Sequence, residues 1–369
     1  MFRKIFTSVK KLHGLRHDVR TMLLRTFPSL TQKPVSITIS VNDICNSRCT
    51  TCYIWKNKDA PQIAYETICG LVKELFTQIG PRNVTLTGGE PLLRRDIYDI
   101  IRFIDGKGGR TRMLTNGLLL MPSTIDKLVE NGLRYLTISL NSANPQVHDS
   151  SRGIPGNHAR IMEAVKYVRK NHPQLKIEFV CILFRDNIME IPQMIEYAKS
   201  VSGTISFQPI RPLLSAHKHV EQKDATATFV SLLPDSKEAE KAMDMMGKYY
   251  SRGEGAFLPR SYIERYRSYF KDPFHLPKKR VDGSAISISS DGTVRFNRQL
   301  PPIGNVTRSP LMDILSGDEA KRQLLECSKA EICLCDFDPT PQDIVQLGKD
   351  TLAQLFDEKK SVLPSQSNH

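Results

Sequence analysis

Alternating strand-like and helix-like stretches between residues 35 and 212 predict an α/β fold built on a parallel sheet. Two further observations agree with it. The segments that read as ligand-binding fall where strand-like runs end, as they do on parallel sheets. The chain of 369 residues, 40% hydrophobic and 25% charged, is also long enough to bury a full-size core. Right-handed crossovers would roll such a sheet into an open partial barrel or leave it doubly wound.

The strand-like runs are 35–41, 83–86, 111–114, 135–140, 176–183 and 204–209, where apolar residues alternate or run together. Helical spacing of apolar residues appears near 61–78, 93–105, 122–132, 157–171 and 188–200. Beyond residue 210 the rhythm stops. Residues 213–279 are basic and polar, with helices predicted over 238–250 and 262–270. Tyr249, Tyr250, Tyr262, Tyr266, Tyr269 and Phe270 make this stretch aromatic-rich, either as a lining over a substrate or as a local core. Strands 285–290 and 293–296 flank Asp291-Gly292, a hairpin signature, and a helix follows near 310–324.

Cys45, Cys49 and Cys52 lie in one short loop after the first strand, spaced CxxxCxxC. Thiolates select zinc or iron–sulfur clusters, and a structural zinc site completes a tetrahedron with a fourth Cys or His. The loop holds no fourth ligand. No histidine occurs between His17 and His148, and Cys69 falls within the helix predicted at 61–78, as a small buried apolar residue. A ligand set one short of closure suggests a position left open for chemistry, with zinc the competing reading. The second strand ends in Thr87-Gly88-Gly89-Glu90-Pro91, the third in Thr115-Asn116-Gly117 and the fourth in Ser139-Leu140-Asn141-Ser142. Glycines permit close approach of backbone, and hydroxyl, amide and carboxylate side chains can bond a polar ligand. Turn and cap chemistry explains the same residues.

The triad, with Gly88-Gly89-Glu90 behind it and His148 to Gly153 after the fourth strand, resembles the radical SAM enzyme superfamily. The resemblance implies a partial (β/α)6 TIM-type barrel with a small α+β C-terminal appendage. It implies that Cys45, Cys49 and Cys52 hold a [4Fe–4S] cluster whose fourth iron binds S-adenosylmethionine. One electron from the cluster would cleave that molecule to methionine and a 5′-deoxyadenosyl radical, which abstracts hydrogen from a substrate. Gly88, Gly89 and Glu90 would then hold the amino group. Thr115, Asn116, Ser139 and Asn141 would meet ribose or carboxylate, and Arg152 would pair the carboxylate bidentately. Val180, Ile182 and Phe207-Gln208-Pro209 are candidate adenine contacts. In one respect the chain departs from the pattern: Thr51 stands where an aromatic often precedes the third cysteine, and Tyr53 and Trp55 follow instead, placed to shield a cluster from water.

The region from the hairpin through Ile303-Gly304-Asn305-Val306 resembles a degenerate SPASM or twitch domain. Asn297 occupies an expected cysteine position, leaving Cys327, Cys333 and Cys335 as ligands for an auxiliary iron–sulfur cluster or as relics. The expected organisation is a basic amphipathic N-terminal helix (1–34), a barrel core (35–212), a helical connection (213–283), the SPASM/twitch-like domain (284–345) and a C-terminal helix and tail (346–369).

Charge is uneven. Residues 1–34 contribute +7 to a formal net charge of +13. A basic amphipathic arm suits an anionic membrane surface or an acidic partner, or else a helix packed across the enzyme with a solvated face. The expected substrate is therefore an anionic small molecule, glycan or lipid-linked molecule, with a one-electron reductant such as ferredoxin or flavodoxin as partner. Peptide or RNA modification ranks behind, because a 34-residue arm is too short for a leader-peptide-binding domain and no base-stacking motif is evident. A cobalamin domain is disfavoured for the same shortness. A zinc-binding scaffold without catalysis is the rival from another class. Eight cysteines in clusters do not make a disulfide framework, no apolar run reaches a membrane span, and no signal peptide is evident. These features give the expectation of a cytoplasmic protein, associated through residues 1–27 with the inner membrane face.

Overall fold

The computed structural model describes residues 36–57, 61–80, 83–211, 222–251, 260–274, 285–297 and 300–328. The basic N-terminal arm, Cys333, Cys335 and the C-terminal tail lie outside them. So does the side chain of Cys327, whose backbone ends the last described helix. Among the described residues no helix is long and apolar enough to cross a membrane.

Six parallel strands carry the fold: β1 (Ser36–Asn42), β2 (Asn83–Gly88), β3 (Arg110–Thr115), β4 (Leu133–Ser139), β5 (Lys176–Leu183) and β6 (Thr204–Pro209). They lie side by side in chain order. That order decides between the two architectures open to the sequence. A doubly wound sheet reverses direction partway so that helices cover both faces; a monotonic order with right-handed crossovers puts every connecting helix on one face and leaves the other as the inside of an open barrel. The burial follows suit. Ile37, Ile39, Val84, Leu86, Met113, Leu136, Ile138, Ile177 and Phe179 share one buried core with the helices, while their neighbours along each strand are mostly half-buried.

The covering helices are α1 (Tyr65–Ile79), α2 (Ile97–Gly106), α3 (Pro122–Glu130), α4 (Pro145–Arg152), α5 (Asn157–Asn171) and α6 (Ile191–Ser200). In α2 the buried residues are Ile97, Ile100, Ile101 and Ile104, the i, i+3, i+4, i+7 stripe of a helix lying on a sheet. Each such isoleucine contributes about 2 kcal/mol by leaving water. The short α4 was not legible as a helix because Val147 is the one apolar side chain after Pro145 in its eight residues, too few for a periodic stripe. Its ends carry the signal instead: Asn144 caps it, accepting from Gln146 N–H at 2.9 Å, Pro145 opens it, and Gly153 closes it in the left-handed region.

After β6 come α7 (Gln222–Leu232), α8 (Ser236–Ser251) and α9 (Arg260–Lys271). The buried hydroxyls of Tyr266 and Tyr269 donate to the carbonyls of Phe207 (2.7 Å) and Ile210, at and just beyond the end of β6. Tyr266, Tyr269 and Phe270 therefore belong to the buried core and do not line a substrate cavity.

The hairpin is not a detached appendage. β7 (Ala285–Ile288) pairs in parallel with β1, and β8 (Thr293–Arg295) and β9 (Gly304–Asn305) extend the same sheet to nine strands, in the order β6-β5-β4-β3-β2-β1-β7-β8-β9. The helix expected near 310–324 is two, α10 (Leu311–Ser316) and α11 (Asp318–Ser328), divided at Gly317. Glu74 on α1 fixes this region by accepting from the N–H groups of Leu311 (3.0 Å) and Met312 (2.8 Å), which open α10 and have no partner within it.

Candidate active site at the carboxyl ends of the strands

The three cysteines leave the end of β1 in a loop whose two stems are tied together by one side chain. Arg94, only 2% exposed, donates to Val41 O (2.9 Å) on β1 and to Ile63 O (2.6 Å) beyond the loop. Its remaining nitrogens grip Asp96 at 2.6 and 2.8 Å, holding that carboxyl below its usual range. Nothing in the chain's pattern singles this residue out, because a lone arginine after a Gly-Gly-Glu-Pro turn has no periodic or motif partner.

A second anchor comes from α4. A helix ends with carbonyls that lack helical partners; here those of Ser151 and Arg152 accept from Thr50 N–H (3.0 Å) and Arg48 N–H (3.1 Å) of the cysteine loop. Third, the Gly88-Gly89 pair presses against the start of that loop. A Cβ on Gly88 would lie 2.1 Å from Asn42 O, and one on Gly89 would lie 2.1 Å from Ile44 O. The close approach expected of these glycines is thus to the loop's own backbone, with Gly89 and Glu90 N–H donating to Asn42 O and Ile44 O at 2.9 and 2.8 Å.

Cys49 is buried and Cys45 and Cys52 are half-buried. Burial pushes the Cys45 thiol up and the Cys52 thiol up to about 11, and each is raised further by the neighbouring thiols. Thiols raised in this way, as Cys45 and Cys52 are, deprotonate readily only when a cation takes the proton's place, so the donor chemistry fits a metal group. Among the described residues no three His, Cys, Asp or Glu side chains converge as a single ion requires. Trp55 Nε1 donates to Cys52 O (2.9 Å), and the Lys56 ammonium lies 4.8 Å over the Tyr53 ring and 5.5 Å over that of Trp55.

Glu90 has partners within the chain. Its carboxylate is fully buried and already accepts from Leu92 N–H (3.1 Å), Thr115 Oγ1 (2.9 Å) and Asn116 N–H (2.8 Å); burial raises its pKa against these bonds. It ties the ends of β2 and β3 together, and of the roughly four acceptor positions of a carboxylate these bonds leave one on Oε2. Asn141 has such partners too: its amide donates to Ser151 Oγ (3.0 Å) and accepts from Ile182 N–H (3.2 Å), fastening β4, α4 and β5. Asn116 has a divided role, reaching Asn46 Oδ1 at 2.7 Å and Cys45 Sγ at 3.9 Å. Behind it Asn157 donates to Asn116 O (3.2 Å), and His148 joins Asn157 to Asn141. The Asn141 N–H donates to His148 Nδ1 (3.1 Å), so the imidazole proton sits on Nε2, facing Asn157 Oδ1 at 2.9 Å.

What this frame leaves uncommitted points to a ligand. Arg152 is 8% exposed, and its Nε has no hydrogen-bond partner among the described residues. No carboxylate there pairs with it, although its charge reaches Cys45, Cys52 and Glu90. Buried Asn42 Oδ1, Ser47 Oγ and Thr51 Oγ1, all in or beside the cysteine loop, are also unmatched. Unpaired buried groups are costly, and an arginine of this kind is suited to a carboxylate. Ser139 stands half-buried on the inner face of the sheet, as do Val180, Ile182 and Gln208, whereas Phe207 is buried in the helix-side core and cannot be an adenine contact.

Residues 39–198 match the family model described as the Radical SAM superfamily. The AdoMet-dependent heme synthase of Methanosarcina barkeri is 29% identical over 181 residues, covering 48% of this chain and 51% of the relative. The GTP 3′,8-cyclase of Marinobacter nauticus is 31% identical over 189 residues, covering 50% and 56%. The chain thus spans about half the length of these two curated relatives. Among solved structures, Streptococcus suis SuiB bound to precursor peptide SuiA superposes with a TM-score of 0.60 at 14% identity, over 78% of this chain and 65% of that one, a likeness of fold.

Proposed function

Because the chain carries a radical SAM domain over residues 39–198, we propose that it is an enzyme that reductively cleaves S-adenosylmethionine and abstracts hydrogen from an anionic small-molecule, glycan or lipid-linked substrate. One observation carries the reading. Three thiols sit in a loop anchored at both stems, beside a buried guanidinium that no carboxylate of the described residues neutralises. Enzymes of this superfamily use a [4Fe–4S] cluster and S-adenosylmethionine; the reduced cluster supplies the electron that splits the sulfonium.

The chain's own residues supply the rest. Cys45, Cys49 and Cys52 hold the cluster. Arg152 receives the carboxylate of S-adenosylmethionine, and Asn42 and Ser47 offer hydrogen-bonding atoms beside it. Ser139, Val180 and Ile182 flank the adenosyl part on the inner face, while Glu90, Asn141 and His148 keep the loops in register. The half-buried rings of Tyr53 and Trp55 keep water from Cys52. A ferredoxin- or flavodoxin-like protein is the reductant.

An anionic substrate is favoured by the +13 net charge. It is also in keeping with a relative named for GTP, a triphosphate anion. The basic charge of residues 1–34 supports a position at the cytoplasmic face of a membrane. That last point falls if purified protein does not prefer anionic over neutral liposomes and if deleting residues 1–27 leaves turnover intact. The primary test is anaerobic reconstitution. A brown protein that forms 5′-deoxyadenosine under reductant, and loses this in Cys49→Ala, is the expected result. A colourless zinc protein without cleavage would sink the proposal in favour of the scaffold reading.

A further inference from the structure

The inner face of the sheet carries a row of side chains for which neither the core nor the cysteine site accounts. Residues paired directly across strands point to the same face. Arg295 pairs with Ser287, Ser287 with Thr38, Thr38 with Thr85, and Thr85 with Arg112. The row continues to Tyr135 and Lys176. All are half-buried or exposed, while their strand neighbours Val294, Ile288, Ile39, Leu86 and Met113 are buried against the helices.

We propose that this row binds a phosphorylated polyol, with Arg295 taking the phosphate, the hydroxyls of Ser287, Thr38 and Thr85 taking the near part of the carbon skeleton, and Arg112 bounding its far end; the inference deepens the anionic-substrate reading above and rests on it. Arg112 is held in place, paired with the Glu178 carboxylate and stacked 5.2 Å over the Tyr135 ring. Glu178 is steadied in turn by Thr137 Oγ1 at 3.0 Å. Arg295 has no carboxylate partner among the described residues, only the Ser289 hydroxyl at 3.3 Å. With Lys176 at the far end and Glu178 balancing Arg112, the face is left with net positive charge. Thr38 and Thr85 make no side-chain hydrogen bond among the described residues, so their hydroxyls are open to a ligand rich in oxygen. An ordinary barrel interior is filled with branched apolar side chains; hydroxyls and arginines in that place mark a wet, binding surface.

The depth also fits. Arg112 lies three residues before Thr115 at the end of β3, and Thr85 three before Gly88 at the end of β2. At strand rise this puts the row about 10 Å below the rim where the cysteine loop sits. A sugar carrying a phosphate spans that gap, leaving its far carbon at the rim where hydrogen is abstracted.

Calorimetric titration of the reconstituted full-length enzyme tests the site, using glucose 6-phosphate, glucose, and vesicles carrying phosphatidylinositol 4-phosphate as probes. Binding of the sugar phosphate, with glucose and the Arg295→Gln variant each weaker by about tenfold, is the expected result for a lost charge-assisted pair. Arg295→Lys should retain part of the affinity and Thr85→Val should lose a few-fold, which separates a lost contact from a misfolded protein. Binding to the vesicles alone, again weakened by Arg295→Gln, would support the same site for a lipid-borne phosphate. Equal affinity of wild type and Arg295→Gln, or no binding of either phosphate, overturns the inference. Formation of 5′-deoxyadenosine without added ligand is read separately: cleavage without phosphate binding ends this proposal alone, and phosphate binding without cleavage ends only the proposed activity.

Discussion

Gly153 and Gly156 flank the same turn after α4, both in the left-handed region with φ of 65° and 77°. Replacing either by alanine costs about 1 kcal/mol of backbone strain. They differ in what the new Cβ meets. At Gly156 nothing lies within 4 Å; at Gly153 the Cβ would stand 2.5 Å from Arg48 O and 2.9 Å from the Arg48 Cβ, in the cysteine loop. The loop cannot yield there without loosening the hydrogen bond from Arg48 N–H to Arg152 O, and overpacking of this kind adds about 1–3 kcal/mol. Gly156→Ala should therefore lower the melting temperature by only about 1–2 °C and load iron normally. Gly153→Ala should melt lower still, hold less iron and sulfide after anaerobic reconstitution, and form 5′-deoxyadenosine several-fold more slowly. If the two variants match in iron content and cleavage, α4 does not position the cysteine loop and the reasoning fails.

Arg94→Met keeps the stem but removes every donor to Val41 O, Ile63 O and Asp96; it should cost about 3 kcal/mol in urea unfolding and reduce iron loading, and unchanged values in both would contradict its place at the loop stems. For His148, burial pushes the imidazole from an ordinary 6.5 down to about 4. The unfolded chain then binds a proton that the folded one refuses, so stability should fall as pH drops from 6.5 towards 4, by up to about 3 kcal/mol. His148→Asn should flatten that part of the urea-unfolding profile, and an identical acid dependence in the variant would count against it. Tyr269→Phe removes the hydroxyl bonded to Ile210 O and should cost about 1 kcal/mol with cleavage of S-adenosylmethionine unchanged, since the ring belongs to the core; a large loss of activity at normal stability would return Tyr269 to the substrate.

Residues 176–183 and 204–209 read from alternation as strands match β5 and β6 at both ends, because one face of each is apolar and their bounds are set by turn residues. Chain order then made a barrel of the sheet, which alternation alone could not decide. The cysteine triad was legible because three thiols in one loop have few ordinary uses. Glu90 and Asn141 were read as ligand contacts from residue type and from the family resemblance, and the structure shows that both also bond neighbouring loops; a type says what a side chain can bond and not which partners reach it. Arg94 and the α4 carbonyls escaped notice for a related reason. Their partners are backbone atoms distant in the chain, and backbone carbonyls leave no trace in a sequence.

The parallel pairing of β1 with β7 sets an order of assembly. Ser36 lies opposite Ala285, so the strand that leads into the cysteine loop has its second neighbour only after more than three-quarters of the 369 residues have been made. During synthesis β1 can pair with β2 soon after it emerges, yet its other edge stays bare until the hairpin arrives. A bare parallel edge invites pairing with another chain. A nascent or truncated form ending before residue 285 would carry its cluster ligands beside that sticky edge, so shortened chains should precipitate even with the residues of the family match intact.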